Sequence, residues 1–412
     1  MPDNNTGPKL QRYARVASVF TPGAPIDSLA LFADRPEQVI EVLNAVSQKG
    51  QHVVLFGERG VGKTSLANVL SEIFTSVELF DSLSTSHINC NTTDDFPSLW
   101  RRIFQELGLD VDYNILSPAI SPEDVRTELE RLQPRGLVVI DELDRLEDDE
   151  ALSLLADTIK TLSDHIVRTT LVLVGVADSI DQLIGDHASV ERPLVQVPMP
   201  RMSHSELCQI VDKGLAQLDM AIDPSCRDRI ARLSEGLPHY THALSLHAAQ
   251  RAVMDDRSSI EPGDVDSAIR RAVDKAQQSI RSSHQKATRS PRRKNLFPNV
   301  LLACALAPKD DLGFFTAGGV KRPMTAIMNQ RYDIPAFARH LDEFTKDVRG
   351  SVLEKTGEPR RYFYRFRNPL LQPFTILDGL AKDLVSESLV KKLQREEATL
   401  ISDDPTAPER LL

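Results

Sequence analysis

Gly57-Glu-Arg-Gly-Val-Gly62-Lys63-Thr64 matches the pattern G-x-x-x-x-G-K-[S/T] at every required position. The match follows the apolar run His52–Phe56 and opens a segment with helical character. Glycines let a backbone bend around an anion and direct several N–H groups at it. A helix that begins near Lys63 adds the positive end of its dipole. The pattern therefore predicts a phosphate-binding loop between a strand and a helix, with a plain glycine turn as the alternative.

The residue types in this loop indicate which phosphates it would bind. Lys63 is expected to reach the β- and γ-phosphates of a nucleoside triphosphate, and the Thr64 hydroxyl is expected to ligate Mg²⁺. No guanine-reading Asn-Lys-x-Asp motif is present in the sequence. The predicted nucleotide-binding residues of the loop are Gly57, Glu58, Arg59, Gly60, Val61, Gly62, Lys63, Thr64 and Ser65.

A second motif, Leu137-Val-Val-Ile-Asp141-Glu142, supplies acidic groups. Four apolar residues predict a buried strand, and ligands of open parallel sheets bind at the carboxyl ends of the strands. Asp141 is expected to hold the Mg²⁺ shell, and Glu142 is expected to polarise the attacking water as a general base. Alone, such a run is often only a strand entering a loop. Together with the loop at Lys63 it predicts a site for ATP hydrolysis.

Five apolar runs predict the sheet that carries both motifs. Each run is four to seven residues long, and helix-length segments separate them, which is typical of buried strands in a parallel sheet. The runs are His52–Phe56, Ser86–Cys90, Leu137–Ile140, Thr170–Val176 and Leu194–Val197. The fold class is therefore predicted to be α/β, a five-stranded parallel sheet of the P-loop NTPase type with helices on both faces.

A chain of 412 residues exceeds what one hydrophobic core usually supports, so several domains are expected. Residues 1–30 are predicted to be an arm, 31–200 the α/β domain, and 201–280 a small all-helical lid domain. A flexible basic linker (281–295) is predicted next. Residues 296–385 show three helices and then two strands, the order of a winged helix. A charged, disordered tail is predicted for 386–412.

Composition excludes a mainly disordered chain, a collagen-like fibre and a disulfide scaffold. The four cysteines lie far apart without a CxxC pair, so they signal neither a zinc site nor a disulfide framework and suit a reducing compartment. No apolar run is long enough to span a bilayer, and the N-terminus lacks the apolar segment of a signal peptide. A cytoplasmic chain without a membrane partner is therefore predicted.

The net charge of −10 hides an asymmetry, because residues 281–367 contain 18 basic and 8 acidic side chains. A basic module on an acidic body favours a nucleic-acid partner, while a solvated linker with a mixed surface is the alternative. The residues expected to contact duplex DNA are Arg292, Arg293, Lys294, Arg360 and Arg361. Against this, the candidate recognition helix carries Asp342, Glu343 and Asp347, which would face phosphates.

The two motifs and the helical domain that follows them resemble the AAA+ ATPases. Within that group the chain resembles the initiator and origin-recognition (Orc/Cdc6-like) type, through Phe32-Ala-Asp-Arg35-Pro-Glu37, Ile88-Asn-Cys-Asn91 and the C-terminal winged helix. The resemblance implies binding of ATP and ADP with Mg²⁺, and assembly into an ATP-dependent homo-oligomer. It also implies adenine contacts from Phe32 and Arg35.

Three further roles are implied by the resemblance. Asp178 ends the fourth strand, where the usual γ-phosphate-sensing asparagine is absent, and stands in for it. Arg192 would act across a subunit interface on the neighbour's ATP, with a surface arginine as the alternative. Gly236-Leu-Pro-His239 resembles an element of the STAND signalling ATPases, which favours slow hydrolysis. His239 would touch the β-phosphate, or would only begin a helix.

Two functions stay open from the sequence. One is a slow ATP-hydrolysing switch whose nucleotide state controls self-assembly and DNA binding through the winged helix. The other is a STAND-like signalling or defence ATPase whose winged helix is autoinhibitory or binds a partner protein. A metabolic P-loop kinase is not favoured, because no small-substrate domain remains once the helical and winged-helix parts are assigned.

Overall fold

The computed structural model describes residues 6–33, 35–76, 82–109, 120–177, 183, 190, 192–290, 295–310, 312–358 and 361–402. The chain forms two compact units. One contains residues 23–201, and the other combines the residues up to 22 with those from 202 onward. The first described helix, α1 (Thr6–Val19), therefore belongs to the second unit.

The unit of residues 23–201 is built on a parallel five-stranded sheet with the strand order β2-β3-β4-β1-β5. The strands are β1 (His52–Gly57), β2 (Ser84–Asn89), β3 (Gly136–Asp141), β4 (Thr169–Val176) and β5 (Leu194–Pro198). All five predicted strands are confirmed, with ends shifted by at most two residues. Its helices are α2 (Pro36–Ser47), α3 (Lys63–Ser76), α4 (Phe96–Glu106), α5 (Pro122–Glu130) and α6 (Asp149–Asp164).

Alternation along the strands divides the core of this unit between the two faces of the sheet. Val54, Val138 and Leu171 point to the face where α4, α5 and α6 add Trp100, Ile159 and other buried side chains. Helix α3 contacts β1, β3 and β4, and its own apolar side chains lie outside that cluster. Helices therefore cover both faces, as predicted.

Register brings the functional ends of the strands to one edge of the sheet. Gly57, at the end of β1, pairs with Val176 at the end of β4. Asp141, at the end of β3, pairs with Asn89 at the end of β2. The sheet is parallel and β4 lies between β1 and β3. The glycine loop after β1 and the acidic residues at the end of β3 therefore lie at the same edge of the sheet, separated by one strand.

From residue 202 onward, the second unit contains four helices that make up the predicted helical domain. They are α7 (His204–Ala216), α8 (Pro224–Leu233), α9 (Pro238–Met254) and α10 (Pro262–Lys275). The Ser203 hydroxyl caps α7 in a capping box with Glu206, as the sequence pattern indicated. A short parallel ladder of β6 (Ala221–Ile222) and β7 (Ser259–Ile260), which the sequence did not predict, joins the loops between these helices.

Helix α11 (Gln278–Thr288) occupies the first part of the segment predicted to be a flexible linker, so that prediction is wrong for residues 281–288. The physical reason is an apolar stripe: Ile280, His284 and Ala287 recur at helical spacing and are buried. Residues 291–294, which include the predicted DNA contacts Arg292, Arg293 and Lys294, lie outside the described residues.

The predicted winged helix is confirmed, with a three-stranded sheet of order β8-β10-β9. Its elements are α12 (Phe297–Ala305), β8 (Phe315–Thr316), α13 (Ala317–Met328), α14 (Ala338–Phe344), β9 (Leu353–Glu358) and β10 (Arg361–Phe366). Of the three acids predicted on the recognition helix, α14 contains Asp342 and Glu343, whereas Asp347 begins the following 3₁₀ turn, Asp347–Arg349. Another 3₁₀ turn, Ile334–Ala336, precedes α14.

Two helices follow the wing: α15 (Leu371–Ala381) and α16 (Glu387–Ser402). Helix α16 stands where a disordered tail was predicted, so that prediction is wrong for 387–402. The reason is that Val390 and Leu393 are buried and that Glu387 lies 2.5 Å from Arg229 on α8. None of the helices in the described part of the chain combines the length and apolar character needed to cross a membrane.

Helix α15 packs back on the helical domain. Every residue from Leu371 to Gly379 is buried, and α15 contacts α10 as well as α12. The Tyr240 hydroxyl of α9 donates to the Leu370 carbonyl at 2.7 Å, and the Gln372 amide donates to Glu235 at 2.7 Å. The helical domain and the winged helix therefore share one core.

Candidate nucleotide-binding site

The loop between β1 and α3 has a backbone that only glycine adopts easily. Gly57, Gly60 and Gly62 have φ values of 146°, 88° and 100°. A Cβ atom on Gly57 would also lie 2.5 Å from the Met199 carbonyl oxygen. The conformation therefore requires glycine at the places where the sequence pattern has it.

Lys63 folds over the loop instead of extending into solvent. Its Nζ atom donates to the carbonyl oxygens of Gly57 at 2.9 Å and Glu58 at 3.0 Å, and the residue is 7% exposed. Burial lowers the pKa of Lys63 to about 8, against the opposing effect of Asp144, Asp141 and Glu58. An anion bound in the loop would stabilise the charged ammonium group and raise this pKa again, so the site is suited to phosphate.

Two arginines, the partly buried Arg201 and the buried Arg35, hold the loop in place. The Arg201 guanidinium donates to both carboxylate oxygens of Glu58, at 2.7 and 2.9 Å. Arg35 donates to the carbonyl oxygens of Val61 at 2.6 Å and Pro200 at 2.9 Å, and it is fully buried. Both arginines thereby hold residues of the loop, Glu58 and Val61, that were predicted from the sequence to bind the nucleotide.

Asp141 supplies an oxygen that lacks a donor. The residue is 2% exposed, and its Oδ1 accepts the Glu142 N–H at 2.7 Å. Oδ2 has no hydrogen-bond partner among the described residues, and His87 Nε2 lies 3.6 Å from it. Burial acts to raise the pKa of Asp141, but interactions with His87, the Glu142 N–H and Thr64 outweigh it, and the pKa lies below its ordinary value.

This geometry fits a magnesium ion. Mg²⁺ in nucleotide sites takes one or two oxygen ligands from the protein and completes its shell with phosphates and water. Thr64, on α3, helps to hold the pKa of Asp141 below its ordinary value, so the two residues that would ligate the ion lie close together. The buried Oδ2 of Asp141 would gain from the ion the partner that it otherwise lacks.

Glu142 follows with a left-handed backbone, φ 54° and ψ 38°. This conformation lets the chain leave β3 and turn at once into a 3₁₀ turn over Leu143–Arg145. The Glu142 carboxylate is 45% exposed and accepts from Arg145 Nη1 at 2.7 Å. Asp144 accepts the Val176 N–H at 2.7 Å and so joins this turn to the end of β4. Sequence reasoning missed both contacts.

Comparison with known proteins agrees with this geometry. Residues 46–184 match the family model described as an AAA domain. This part of the chain is an AAA domain. The predicted resemblance to AAA+ ATPases is confirmed for these residues, which hold both the glycine loop and the acidic end of β3.

Solved structures resemble the chain well beyond the AAA domain. The ORC2 protein of Aeropyrum pernix, solved with ADPNP and ADP, is 15% identical with a TM-score of 0.50, over 93% of this chain and 98% of that one. The ORC1 protein of Aeropyrum pernix in complex with DNA is 16% identical, with a TM-score of 0.47 over 91% and 97%. Cdc6p of Pyrobaculum aerophilum is 15% identical, with a TM-score of 0.47 over 92% and 98%. The likeness to the ORC2 protein confirms the Orc/Cdc6-like fold: an AAA domain followed by a helical domain and a winged helix.

Other predicted residues of the AAA domain lie in varied surroundings. Phe32 is buried together with Arg35, so neither side chain is open to solvent as an adenine contact. Ser65 accepts the Ile26 N–H at 3.1 Å, and Arg59 is exposed. Arg192 is 85% exposed and lies 3.7 Å from Asp164. Asp178 lies outside the described residues.

His239 belongs to the second unit, where its Nδ1 atom lies 2.5 Å from the Pro22 carbonyl oxygen. Burial lowers the pKa of His239, and the Pro22 carbonyl opposes that effect. This contact supports the alternative reading of a histidine with a structural partner at the start of a helix.

The winged helix presents its charges mostly in pairs. On and beside α14, Arg339 lies 2.8 Å from Glu343, and Lys346 lies 2.5 Å from Asp342. Lys355 of the wing also faces Asp342 at 3.7 Å. Of the predicted DNA contacts, Arg361 is exposed and Arg360 lies outside the described residues. The charge that the sequence concentrates here is therefore largely compensated on the α14 face.

Proposed function

We propose that this chain is a Mg²⁺-dependent ATP-binding and slowly ATP-hydrolysing switch whose nucleotide state controls self-assembly. The observation that carries the proposal is the buried Asp141 Oδ2, without a hydrogen-bond donor among the described residues, at the sheet edge that also carries Lys63. The ORC2 protein of Aeropyrum pernix, whose fold is similar, was solved with ADPNP and ADP, which supports an adenine nucleotide as the ligand.

Each residue of the site has a defined task in this proposal. The loop glycines admit the phosphates to the backbone N–H groups, and Lys63 moves its donors from the loop carbonyls to the β- and γ-phosphates. Thr64 and Asp141 would hold Mg²⁺, which would neutralise part of the phosphate charge. Glu142 orients a water molecule and takes its proton.

The pairing of Glu142 with Arg145 supports slow turnover. A general base needs a carboxylate oxygen that is free to bind the attacking water, and the Arg145 guanidinium occupies one of the two oxygens of Glu142. The Arg145 Nη1 atom lies 2.7 Å from the carboxylate. Glu142 must leave this contact, or share its oxygens, before it can hold water.

We propose duplex DNA as the partner of the switch, bound through the wing and the basic segment 291–294. In support, Arg361 is exposed at the tip of the wing, and Phe363 on the same strand is 42% exposed. An arginine beside an exposed aromatic ring suits contact with phosphate and base edges. The paired charges on α14 argue against major-groove insertion of that helix.

Those same paired charges favour a second candidate, a STAND-like ATPase whose winged helix is a lock or a protein-binding module. Asp342 and Glu343 neutralise the neighbouring cations and would repel phosphate. In this case the chain retains ADP tightly and has no salt-dependent affinity for DNA.

Fluorescence anisotropy of a labelled duplex, with ATP, with ADP and without nucleotide across a salt series, separates the two candidates. The DNA-binding switch predicts affinity that rises with ATP and falls steeply with salt, because counterions are released. Absence of binding at low salt in all three states rejects DNA as the partner. Nucleotide binding, measured separately by a fluorescent ATP analogue, tests the switch itself.

A further inference from the structure

Three side chains able to ligate a metal meet between α7 and α8 of the second unit. His204 and Cys208 are four residues apart on α7, so they lie on the same face of the helix. Asp228 reaches them from α8. The Asp228 Oδ1 atom lies 3.6 Å from His204 Nε2 and 3.9 Å from Cys208 Sγ, and the three ligand atoms all lie within 4.8 Å of one another.

The spacing is close to that of a tetrahedral zinc site. Zinc lies about 2.0–2.2 Å from nitrogen and oxygen ligands and about 2.3 Å from sulfur, which separates ligand atoms by roughly 3.3–3.7 Å. The two measured separations to Asp228 Oδ1 are within a few tenths of an ångström of that range. Small side-chain rotations would therefore bring all three atoms to one ion.

The same distances are poor for direct hydrogen bonding. An N···O separation of 3.6 Å is beyond a good hydrogen bond, and 3.9 Å is at the outer limit for a thiol donor. The three side chains therefore lie close together without forming good hydrogen bonds to one another, and a metal ion could bridge them.

We propose that His204, Cys208 and Asp228 form a zinc-type metal site that fastens α7 to α8. A thiolate and an imidazole select zinc or a similar thiophilic ion over Mg²⁺ and Ca²⁺, which prefer oxygen ligands. Three protein ligands leave the fourth position to water.

Exposure and charge fit the proposal. Cys208 is buried, whereas the side chains of His204 and Asp228 are about half exposed, so an ion can enter from solvent. A divalent ion with one thiolate and one carboxylate is neutral overall. Arg227, which lies 3.7 Å from Asp228 Oδ1 and 3.1 Å from Asp212, can therefore stay in place and orient the Asp228 carboxylate.

The site is independent of nucleotide chemistry, because the proposed ligands lie in the unit that does not contain the glycine loop. The site was not predicted from the sequence, since a search for paired cysteines passes over a His-x₃-Cys spacing on one helix. The aspartate, 20 residues after the cysteine, belongs to another helix.

Cobalt titration of the chelator-treated full chain tests the site, because a Co²⁺–thiolate bond gives a near-ultraviolet charge-transfer band and tetrahedral Co²⁺ gives strong visible bands. We expect both bands in the natural chain and their loss on addition of one equivalent of Zn²⁺. Cys208→Ser should lack the charge-transfer band, and Asp228→Asn should bind Co²⁺ at least tenfold more weakly.

Cys226→Ser is the matched control, because Cys226 is a buried thiol on α8 outside the cluster. It should keep both bands, as should Lys63→Ala. Circular dichroism verifies that each variant is folded, and binding of a fluorescent ATP analogue does so for the variants that retain Lys63. Bands that persist in Cys208→Ser, or Co²⁺ binding without a charge-transfer band in the natural chain, would mean an adventitious ion only and would overturn the proposal.

Discussion

The edge of the parallel sheet and the α14 face of the winged helix both concentrate charge, but they treat it in opposite ways. At the sheet edge, Asp141 keeps a buried oxygen without a donor among the described residues, and Lys63 is bound only by carbonyl groups that it can exchange for phosphate. On α14, Asp342 and Glu343 compensate the neighbouring cations. A buried charged group that has no oppositely charged partner in the protein indicates a ligand site. A high number of basic residues in one segment does not, because nearby acidic residues can pair with them.

Lys63→Ala should have the largest effect on the sheet edge. It removes the only side chain expected to bridge the β- and γ-phosphates, so we expect ATP affinity to fall by at least about 100-fold. Titration with a fluorescent ATP analogue measures the change. Lys160→Ala, which removes an exposed lysine from α6 of the same unit, serves as the control. Micromolar affinity in Lys63→Ala would remove this lysine from the site.

Glu142→Gln should separate binding from chemistry. The amide keeps a hydrogen bond to Arg145 but cannot accept the proton of water, so ATP binding should persist while turnover falls by about 100-fold or more. Phosphate release reports turnover, and size-exclusion chromatography with ATP should show the assembled form trapped. Glu147→Gln changes an exposed glutamate close by and should leave both unchanged. Normal turnover in Glu142→Gln would assign the base elsewhere.

Arg349→Ala tests whether charge near α14 serves packing. The Arg349 guanidinium lies 3.5 Å from the centre of the Phe297 ring and donates to the Arg289 carbonyl at 2.5 Å, just past the end of α11. Its loss should lower the free energy of unfolding by about 2 kcal/mol. Chemical denaturation measures this.

Arg339→Ala is the matched control for that experiment. Both arginines lie near Glu343, at 3.6 Å for Arg349 and 2.8 Å for Arg339, but the Arg339 side chain is 77% exposed. We expect a loss below about 0.5 kcal/mol. Equal losses in the two variants would contradict a packing role specific to Arg349.

The double substitution Asp342→Asn with Glu343→Gln tests whether the negative charges of these two residues are what prevents α14 from binding DNA. If the helix lies near the duplex, removing two negative charges should raise affinity at low salt by up to about tenfold. Asp255→Asn with Asp256→Asn removes the same charge at the end of α9 and should leave affinity nearly unchanged. An equal response of the two pairs would place α14 away from the DNA.

Arg145→Ala should have the smallest effect. The Arg145–Glu142 pair is about half exposed, and exposed pairs contribute about 0–1 kcal/mol, which corresponds to at most about a fivefold change. We expect kcat to rise two- to fivefold with KM unchanged, because the base is released. Arg145→Lys should restore the original rate. A fall in kcat would show instead that Arg145 positions the base for catalysis.

The sequence could predict those parts of the site whose geometry is local. The glycine loop, Lys63 and the acids after β3 each follow from a strand, a turn and a helix that are adjacent along the chain. The contact between Asp144 and Val176 depends on the order of the strands in the sheet. Arg35 was expected to contact adenine but binds the Val61 carbonyl of the loop, and this contact depends on tertiary packing. Periodicity alone does not reveal these.

The same distinction explains the errors outside the site. Helix α11 was missed because its buried stripe uses His284 and Ala287, which are weak apolar signals beside so many basic residues. The pairing of charges around α14 was missed because Asp342 is shared between Lys346, one helical turn away, and Lys355 on another element.

Because α15 packs on the helical domain, the winged helix cannot be removed by truncation without damage to that domain. A truncation at the basic segment would leave Tyr240 without its acceptor at Leu370, and Glu235 without the amide of Gln372. It would also expose the apolar surface of α10 that α15 covers. The final hundred residues are thus better regarded as the closing layer of the preceding fold than as a detachable module. Function of the winged helix should be probed by point substitution within the full chain.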